Sequence, residues 1–334
     1  MSLRDRTIRA VSSALYHSRL LGPVATAASY AGPSRGFPIL TFHRVNDDDD
    51  PFFPAIPTAV FAARMAHIAR HYRVLAVEEL VERARQGTLP RNALALTFDD
   101  GYRDNLSHAA PILAQHGLPA TVFLATGYIG TPELLWFDRV ALAFKLSRRK
   151  EVTLPGCEPR QLTTPADRLA GLEVALGWLK SLPDEERRHA VEQLVNGLQP
   201  VGRGQPKRVM LTWEEVDALR GLGFSIGAHT VTHPILSRMT PERAREEIQG
   251  SKDAIERTLG VPVRAFAYPN GGPGDYSATT VRLVQACGFT CAVTTCRGLN
   301  GSAVSAFELR RGGPWEAHLP TFALKLAYYQ LTGA

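Results

Sequence analysis

The chain reads as an α/β protein built on a parallel sheet, and two observations predict it. Seven short apolar runs, starting near residues 37, 73, 93, 120, 224, 264 and 290, alternate with helical patterns. Regular alternation of this kind argues for parallel strands with helices outside. The run Ala93 to Phe98 then ends in Asp99, Asp100 and Gly101. A buried strand rarely finishes on paired acids unless the charge is needed, because an unpaired buried carboxylate is costly. In an α/β barrel, the C-terminal end of a strand is where active sites are built.

The elements follow in order. Residues 3 to 22 predict a basic amphipathic helix: Ile8, Val11 and Leu15 line one face, with Arg4, Arg6, Arg9 and Arg19 elsewhere. Such a helix suits the barrel exterior or a membrane surface. Phe37 to Phe42 reads as a strand ending at His43. Asp47 to Asp50 lack the alternating ligands of a calcium loop and predict a solvated turn. Helix Thr58 to His71 leads to a strand at Arg73 to Leu75, and helix Val77 to Gln86 to strand Ala93 to Phe98. Helix Asp104 to His116 leads to strand Ala120 to Leu124.

From Trp136 to Met210 the rhythm breaks into a mainly helical insertion, which either shapes the substrate cleft or is a flap with no ligand role. Thr212 to Glu215 fits a capping box opening a helix to Leu222. Strand Phe224 to Gly227 follows, then a helix from Thr240-Pro241 to Leu259 and strand Arg264 to Tyr268. The loop Asn270 to Gly274 has turn chemistry but not the lysine and spacing of a phosphate loop. Helix Ser277 to Cys287, strand Thr290 to Thr294 and a final helix, Leu319 to Leu331, complete the chain.

Composition bounds the function. The 334 residues are 45% apolar and 21% charged, with a net charge of +6 spread over scattered arginines. That diffuse excess does not mark a nucleic-acid binder, and no nucleic-acid motif is present. Cys157, Cys287, Cys291 and Cys296 form no C-x-x-C pair, so reduced thiols are expected. Residues 1 to 30 lack a secretory signal, since Ser12, Ser13, His17, Ser18 and Arg19 interrupt any apolar core. No stretch approaches the ~20 apolar residues of a membrane span. A cytoplasmic protein is the expectation.

Three segments carry chemistry: Thr97-Phe98-Asp99-Asp100-Gly101, His229-Thr230-Val231-Thr232-His233 and Arg264-Ala265-Phe266-Ala267-Tyr268-Pro269. Together they offer two imidazoles, two carboxylates and an arginine, a set that suits a mononuclear metal hydrolase. In this order they resemble the polysaccharide deacetylase family (carbohydrate esterase family four, NodB-like domains), over roughly residues 36 to 312. The resemblance implies an incomplete, seven-stranded (β/α) barrel. It divides the chain into an N-terminal extension (1–35), a barrel (36–312) with its insertion (136–210), and a C-terminal helix (313–334).

Pro234 disfavours helical geometry at His233, so a loop is expected to turn both imidazoles toward one point. The third metal ligand must be a carboxylate, and by resemblance it is Asp100. Zinc is the default for this set; cobalt, nickel or manganese would also fit. The resemblance further implies Asp99 as base, Arg264 as the partner of that base, and the Tyr102 N–H as an oxyanion donor. Tyr268 and Pro269 are expected to form a wall of the cleft. Many relatives carry a late histidine as general acid, but Phe307 to Arg311 holds none. His43, at the end of the first strand, is the substitute favoured here, with His318 as a second choice. An exposed Trp136 would stack on a sugar face or staple the insertion to the barrel.

The expectation is a metal-dependent hydrolase that removes an N-acetyl group from an amino sugar in a polysaccharide, oligosaccharide or lipid-linked glycan. The terminal helices suggest peripheral contact with the inner membrane surface. The alternatives are an O-deacetylase, a deformylase or a small-molecule amidohydrolase on the same scaffold, and a non-catalytic carbohydrate-binding protein.

Overall fold

The computed structural model describes residues 3–18, 36–201, 208–301, 305–313 and 316–332. Helix α1 (Leu3–His17) is followed by β1 (Ile39–Phe42), α2 (Thr58–His71), β2 (Arg73–Val74), α3 (Val77–Arg85) and β3 (Ala93–Phe98). Then come α4 (Ala110–Gln115), β4 (Ala120–Leu124), α5 (Trp136–Lys145), a small hairpin β5 (Glu151–Val152) and β6 (Arg160–Gln161), α6 (Pro165–Ser181) and α7 (Asp184–Leu198). The chain continues with α8 (Trp213–Gly221), β7 (Phe224–Ala228), α9 (Pro241–Leu259), β8 (Ala265–Ala267), α10 (Ala278–Ala286), β9 (Cys291–Val293) and α11 (Leu319–Thr332).

The large sheet has seven strands in the order β1-β3-β4-β7-β8-β9, with β2 also paired to β3, and every pairing is parallel. All seven apolar runs are therefore strands. Outside the short β2, where Arg73 is exposed, nearly all their side chains are buried on both faces, as in a parallel sheet covered by helices. Successive residues point to opposite faces. Leu94, Leu96 and Phe98 pack outward against the helices, while Ala93 and Ala95 face the interior with Phe123, Ala265, Ala267 and Val293. Small inward residues leave space in the barrel, and a non-regular segment uses it. The Leu309 N–H donates to the Ala292 carbonyl, and the Gly312 N–H to the Ile39 carbonyl. Residues 309–312 thus span the gap between β9 and β1, giving the half-barrel a bridged seam.

The helices start where capping chemistry predicts. Thr164, Thr212 and Ser277 each close a capping box, and Thr240 caps α9. The helix expected from Asp104 begins differently, with a wide π-turn at Asn105–Ala109. Pro111 has no N–H to bond the fourth carbonyl back, and the Asp104 carboxylate is taken by Arg44 and Asn46, both at 2.9 Å. The insertion helices α5, α6 and α7 bury a core of their own, including Val140, Phe144, Leu172, Leu179 and Val191. Helix α1 packs on α11, where Ser12 and Thr321 hydroxyls meet at 3.1 Å. Residues 19–22 of the expected first helix lie outside the described residues. Among those described, no helix is long and apolar enough to cross a membrane.

Candidate active site

The last inward residues of β3 enter a charged centre. Thr97 and Asp99 share a face, and there Arg311 crosses the barrel to meet them. Its guanidinium makes two 2.7 Å hydrogen bonds to the two oxygens of Asp99, one of 3.2 Å to the Thr97 hydroxyl and one of 2.8 Å to the Thr294 carbonyl. Arg311 is wholly buried. Burial alone would raise the Asp99 pKa, but this bidentate guanidinium holds the carboxyl well below the usual carboxylate range. The contact with Arg311 thus favours the charged form of Asp99.

Asp100 turns away from Asp99 into a second cluster. Its φ of 76° lies in the left-handed region, followed by Gly101 at 88°. At that φ any side chain is strained, and a Cβ on Gly101 would also lie 2.8 Å from the end of the Ile129 side chain, so glycine is favoured there. The Asp100 Oδ1 is 3.5 Å from His229 Nε2 and 3.4 Å from His233 Nε2. That oxygen is buried and has no hydrogen-bond partner among the described residues. Burial, with Asp99 and Asp138 nearby, pushes the Asp100 carboxyl well up. Burial also lowers both imidazoles, His229 to about 4, so each presents a neutral nitrogen. Ligand atoms of Asp100, His229 and His233 lie within 4.8 Å of one another. An orphaned carboxylate oxygen between two neutral imidazoles fits a divalent cation by its donor set alone.

The histidines sit on a loop, as Pro234 predicts, with ring centroids 4.8 Å apart. Several contacts fix that loop. His229 Nδ1 lies 2.7 Å from the Ala267 carbonyl and bonds to it, which aims Nε2 at Asp100. Thr230 and His233 have φ of 66° and 56°, strained values for non-glycine residues. The Glu247 carboxylate on α9 accepts the Val231 and Thr232 N–H groups at 2.8 Å each and the Thr232 hydroxyl at 2.6 Å.

A cavity of about 470 Å³ opens above these groups. His43 lines it, and the surrounding protein lowers its pKa, opposed by Asp99 and reinforced by Arg311. Tyr102 also lines it; its hydroxyl donates to Asp138 at 2.9 Å, and its N–H meets no acceptor among the described residues. Burial raises the Asp138 pKa to about 6, opposed by the Tyr102 hydrogen bond.

Four expectations need correction. Arg264 is not the partner of Asp99. It immediately precedes β8, at the N-terminal end of the sheet and on the outward face, and is exposed; Arg311 holds the position instead. Tyr268 alternates outward with Phe266, and its hydroxyl donates to the Phe307 carbonyl at 3.0 Å. Pro269 is buried behind it, so neither lines the cavity; Asn270 and Thr295 do. Trp136 is 6% exposed and offers no sugar platform. Its indole N–H donates to the His233 carbonyl at 3.1 Å and its ring lies under the Arg187 guanidinium, which makes it the staple of the insertion. His318 bonds Thr321 at the foot of α11 and is not among the cavity residues.

Sequence reasoning missed Arg311 and Glu247. In the structure Leu309 and Arg311 are buried and Arg310 between them is exposed, as in a strand; in the sequence only the apolar Leu309, two residues before Arg311, marks that inward face.

A family model described as polysaccharide deacetylase matches residues 86–292. YxkH of Bacillus subtilis strain 168, a protein classed with the polysaccharide deacetylases, is 21% identical over 276 residues, which is 82% of this chain and 70% of that one. The poly-β-1,6-N-acetyl-D-glucosamine N-deacetylase of Escherichia coli K12 is 30% identical over 103 residues, only 15% of its length and 30% of this chain. Among solved structures, the Streptococcus pyogenes deacetylase PplD, in complex with acetate, aligns with a TM-score of 0.57 at 20% identity, covering 84% of this chain and 92% of that one. IcaB from Ammonifex degensii aligns at 0.55 and 19% identity, covering 86% and 97%. At these identities the two structures establish the shared fold.

Proposed function

The chain belongs to the polysaccharide deacetylase family, and within it we propose an N-deacetylase that hydrolyses the acetamide of an amino sugar. One observation carries the proposal: the orphaned ligand cluster of Asp100, His229 and His233 stands beside Asp99, which Arg311 grips through both oxygens, under one cavity. A divalent cation held by those three residues, zinc by default, would supply Lewis acidity that acidifies water and polarises the acetamide carbonyl.

The chain's own residues do the rest. Asp99 accepts a proton from the attacking water with the oxygen lone pairs that Arg311 leaves free. Arg311 keeps that carboxylate ionised and oriented. The Tyr102 N–H donates to the carbonyl oxygen as charge builds on it. A new C–O bond forms and the C–N bond breaks; the proton that Asp99 took from the water passes to His43, neutral in the resting site, which delivers it to the leaving nitrogen. Acetate and a free amine result. An amine leaves poorly without that proton, so the presence of His43 beside Asp99 favours an amide substrate over an ester.

Zinc-loaded protein is expected to release acetate from N-acetylated oligosaccharides and to lose that activity as His229→Ala/His233→Ala. Release from O-acetylated sugars alone would move the assignment to an O-deacetylase. No release from either, with metal bound, would leave a carbohydrate-binding protein.

A further inference from the structure

The cavity extends beyond the ligand cluster along the insertion, and that wing is of different chemistry. It is lined by Phe53, Ala141, Leu172 and Leu176, with Lys180 at one end. Leu172, Leu176 and Lys180 are four residues apart on α6, so they form one stripe, ~12 Å long at 1.5 Å per residue.

The direction of the stripe follows from the contacts of α5 and α6. Helix α5 starts at the site, where the Phe137 ring lies 5.2 Å from His233, and runs outward. Helix α6 returns antiparallel. At the far end Arg168 donates to the Lys145 carbonyl at 2.7 Å, and Gly171 packs on Phe144. At the near end α7 begins, with Arg187 over Trp136 at 4.8 Å and Arg188 on the Thr232 hydroxyl at 3.3 Å. Going outward from the ligand cluster, the order is therefore Lys180, Leu176, Leu172. Lys180 is exposed and has no ion pair among the described residues.

Leu172, Leu176 and Ala141 offer a sugar neither hydrogen bonds nor a stacking face, and Phe53 is the one ring named in the wing, so the α6 stripe itself is suited to hydrocarbon rather than to more sugar units. It matches a hydrocarbon chain, and the cation sits where such a chain would join the sugar. Resting on the deacetylase reading above, we propose that the substrate is an amphiphile: an N-acetylated amino sugar joined through a phosphate to a hydrocarbon chain. The sugar lies over the ligand cluster, the phosphate pairs with Lys180, and the chain covers Leu176 and Leu172.

The test is equilibrium binding to full-length, zinc-loaded Asp99→Asn protein, which separates recognition from turnover. The probes are farnesyl-phosphate-linked N-acetylglucosamine, N-acetylglucosamine 1-phosphate and uncharged farnesyl N-acetylglucosaminide, all below their micelle concentrations. The first is expected to bind at least roughly ten-fold tighter than either other probe. Lys180→Glu, at an exposed position, should erase the advantage over the uncharged glycoside, and Leu176→Gln the advantage over the sugar phosphate. Equal affinity for the three probes, or an advantage that survives both substitutions, overturns the proposal. Acetate release by the unsubstituted protein is scored separately, so a failed deacetylase reading is distinguishable from a failed lipid reading.

Discussion

Each end of the barrel pairs an acid with an arginine, and the pairs behave differently. At the C-terminal end of the sheet, Asp99 is gripped by Arg311 through two 2.7 Å bonds. At the N-terminal end, Glu78 has Arg264 as an electrostatic neighbour, with no ion pair between them among the described residues, and one Glu78 oxygen is buried without a partner. Burial raises both carboxyls. Only the guanidinium in contact reverses the shift, so Asp99 is fully charged whereas Glu78 is pushed up toward neutrality. An arginine nearby is not enough: only contact keeps a buried carboxylate charged.

The most direct way to break the comparison is to neutralise each acid. Asp99→Asn is expected to lower kcat by about 10³-fold or more, in the upper range for removing a general base. Glu78→Gln should leave kcat within a factor of two or so of the parent, since burial already disfavours its charge. Acetate release under saturating substrate decides it; a large loss in Glu78→Gln would mean that the two ends are coupled.

The arginines come next. Arg311→Met leaves the Asp99 charge buried and unpaired and should destabilise by about 3–5 kcal/mol. Arg264→Met removes an exposed side chain and should stay within about 0.5 kcal/mol. Urea midpoints at constant m-value would show the contrast. Comparable losses in the two variants would contradict the placement of Arg311.

This contrast also marks what the sequence reveals. The seven strands were legible because apolar runs and turns are local signals. Asp99, Asp100, His229 and His233 were legible because each pair is held within a few residues at a strand end. The Asp99–Arg311 contact joins positions 212 residues apart, which no local pattern encodes. Arg264 was chosen from its motif, but the motif does not say which end of a strand faces the site. Which of its two expected roles Trp136 takes was not legible, because nothing in the sequence shows the insertion folding back over His233. The same holds for Glu247, a helix residue that looks like any solvated acid until the loop is seen on it.

Glu247 sharpens the comparison from outside the charged centre. Its carboxylate holds three donors of the histidine loop without touching the ligand cluster's atoms. Glu247→Ala should weaken zinc binding by about 10–100-fold, the usual cost of losing a group that orients ligands. Titration against a zinc-buffering dye measures this directly. An unchanged affinity would show that the strained backbone at Thr230 and His233 holds the rings by itself.

The smallest expected effect concerns a third acid, Asp138. It lies at the catalytic end, yet its contact partner is the Tyr102 hydroxyl, and burial leaves its pKa raised to about 6. A hydroxyl thus offsets burial less than the bidentate guanidinium does at Asp99. Because this carboxyl binds protons more tightly folded than unfolded, it lowers stability as pH rises from about 4 to about 6, by at most about 3 kcal/mol. Tyr102→Phe removes a hydrogen bond that favours the charged form. The Asp138 pKa should therefore move above 6 and the loss should extend to higher pH, with about 1 kcal/mol of stability gone at pH 7. Carboxyl infrared or carbon-13 titration of the variant would follow it. A pKa that stays in place would mean that Arg44, the next cation along, rather than Tyr102, sets the charge of Asp138.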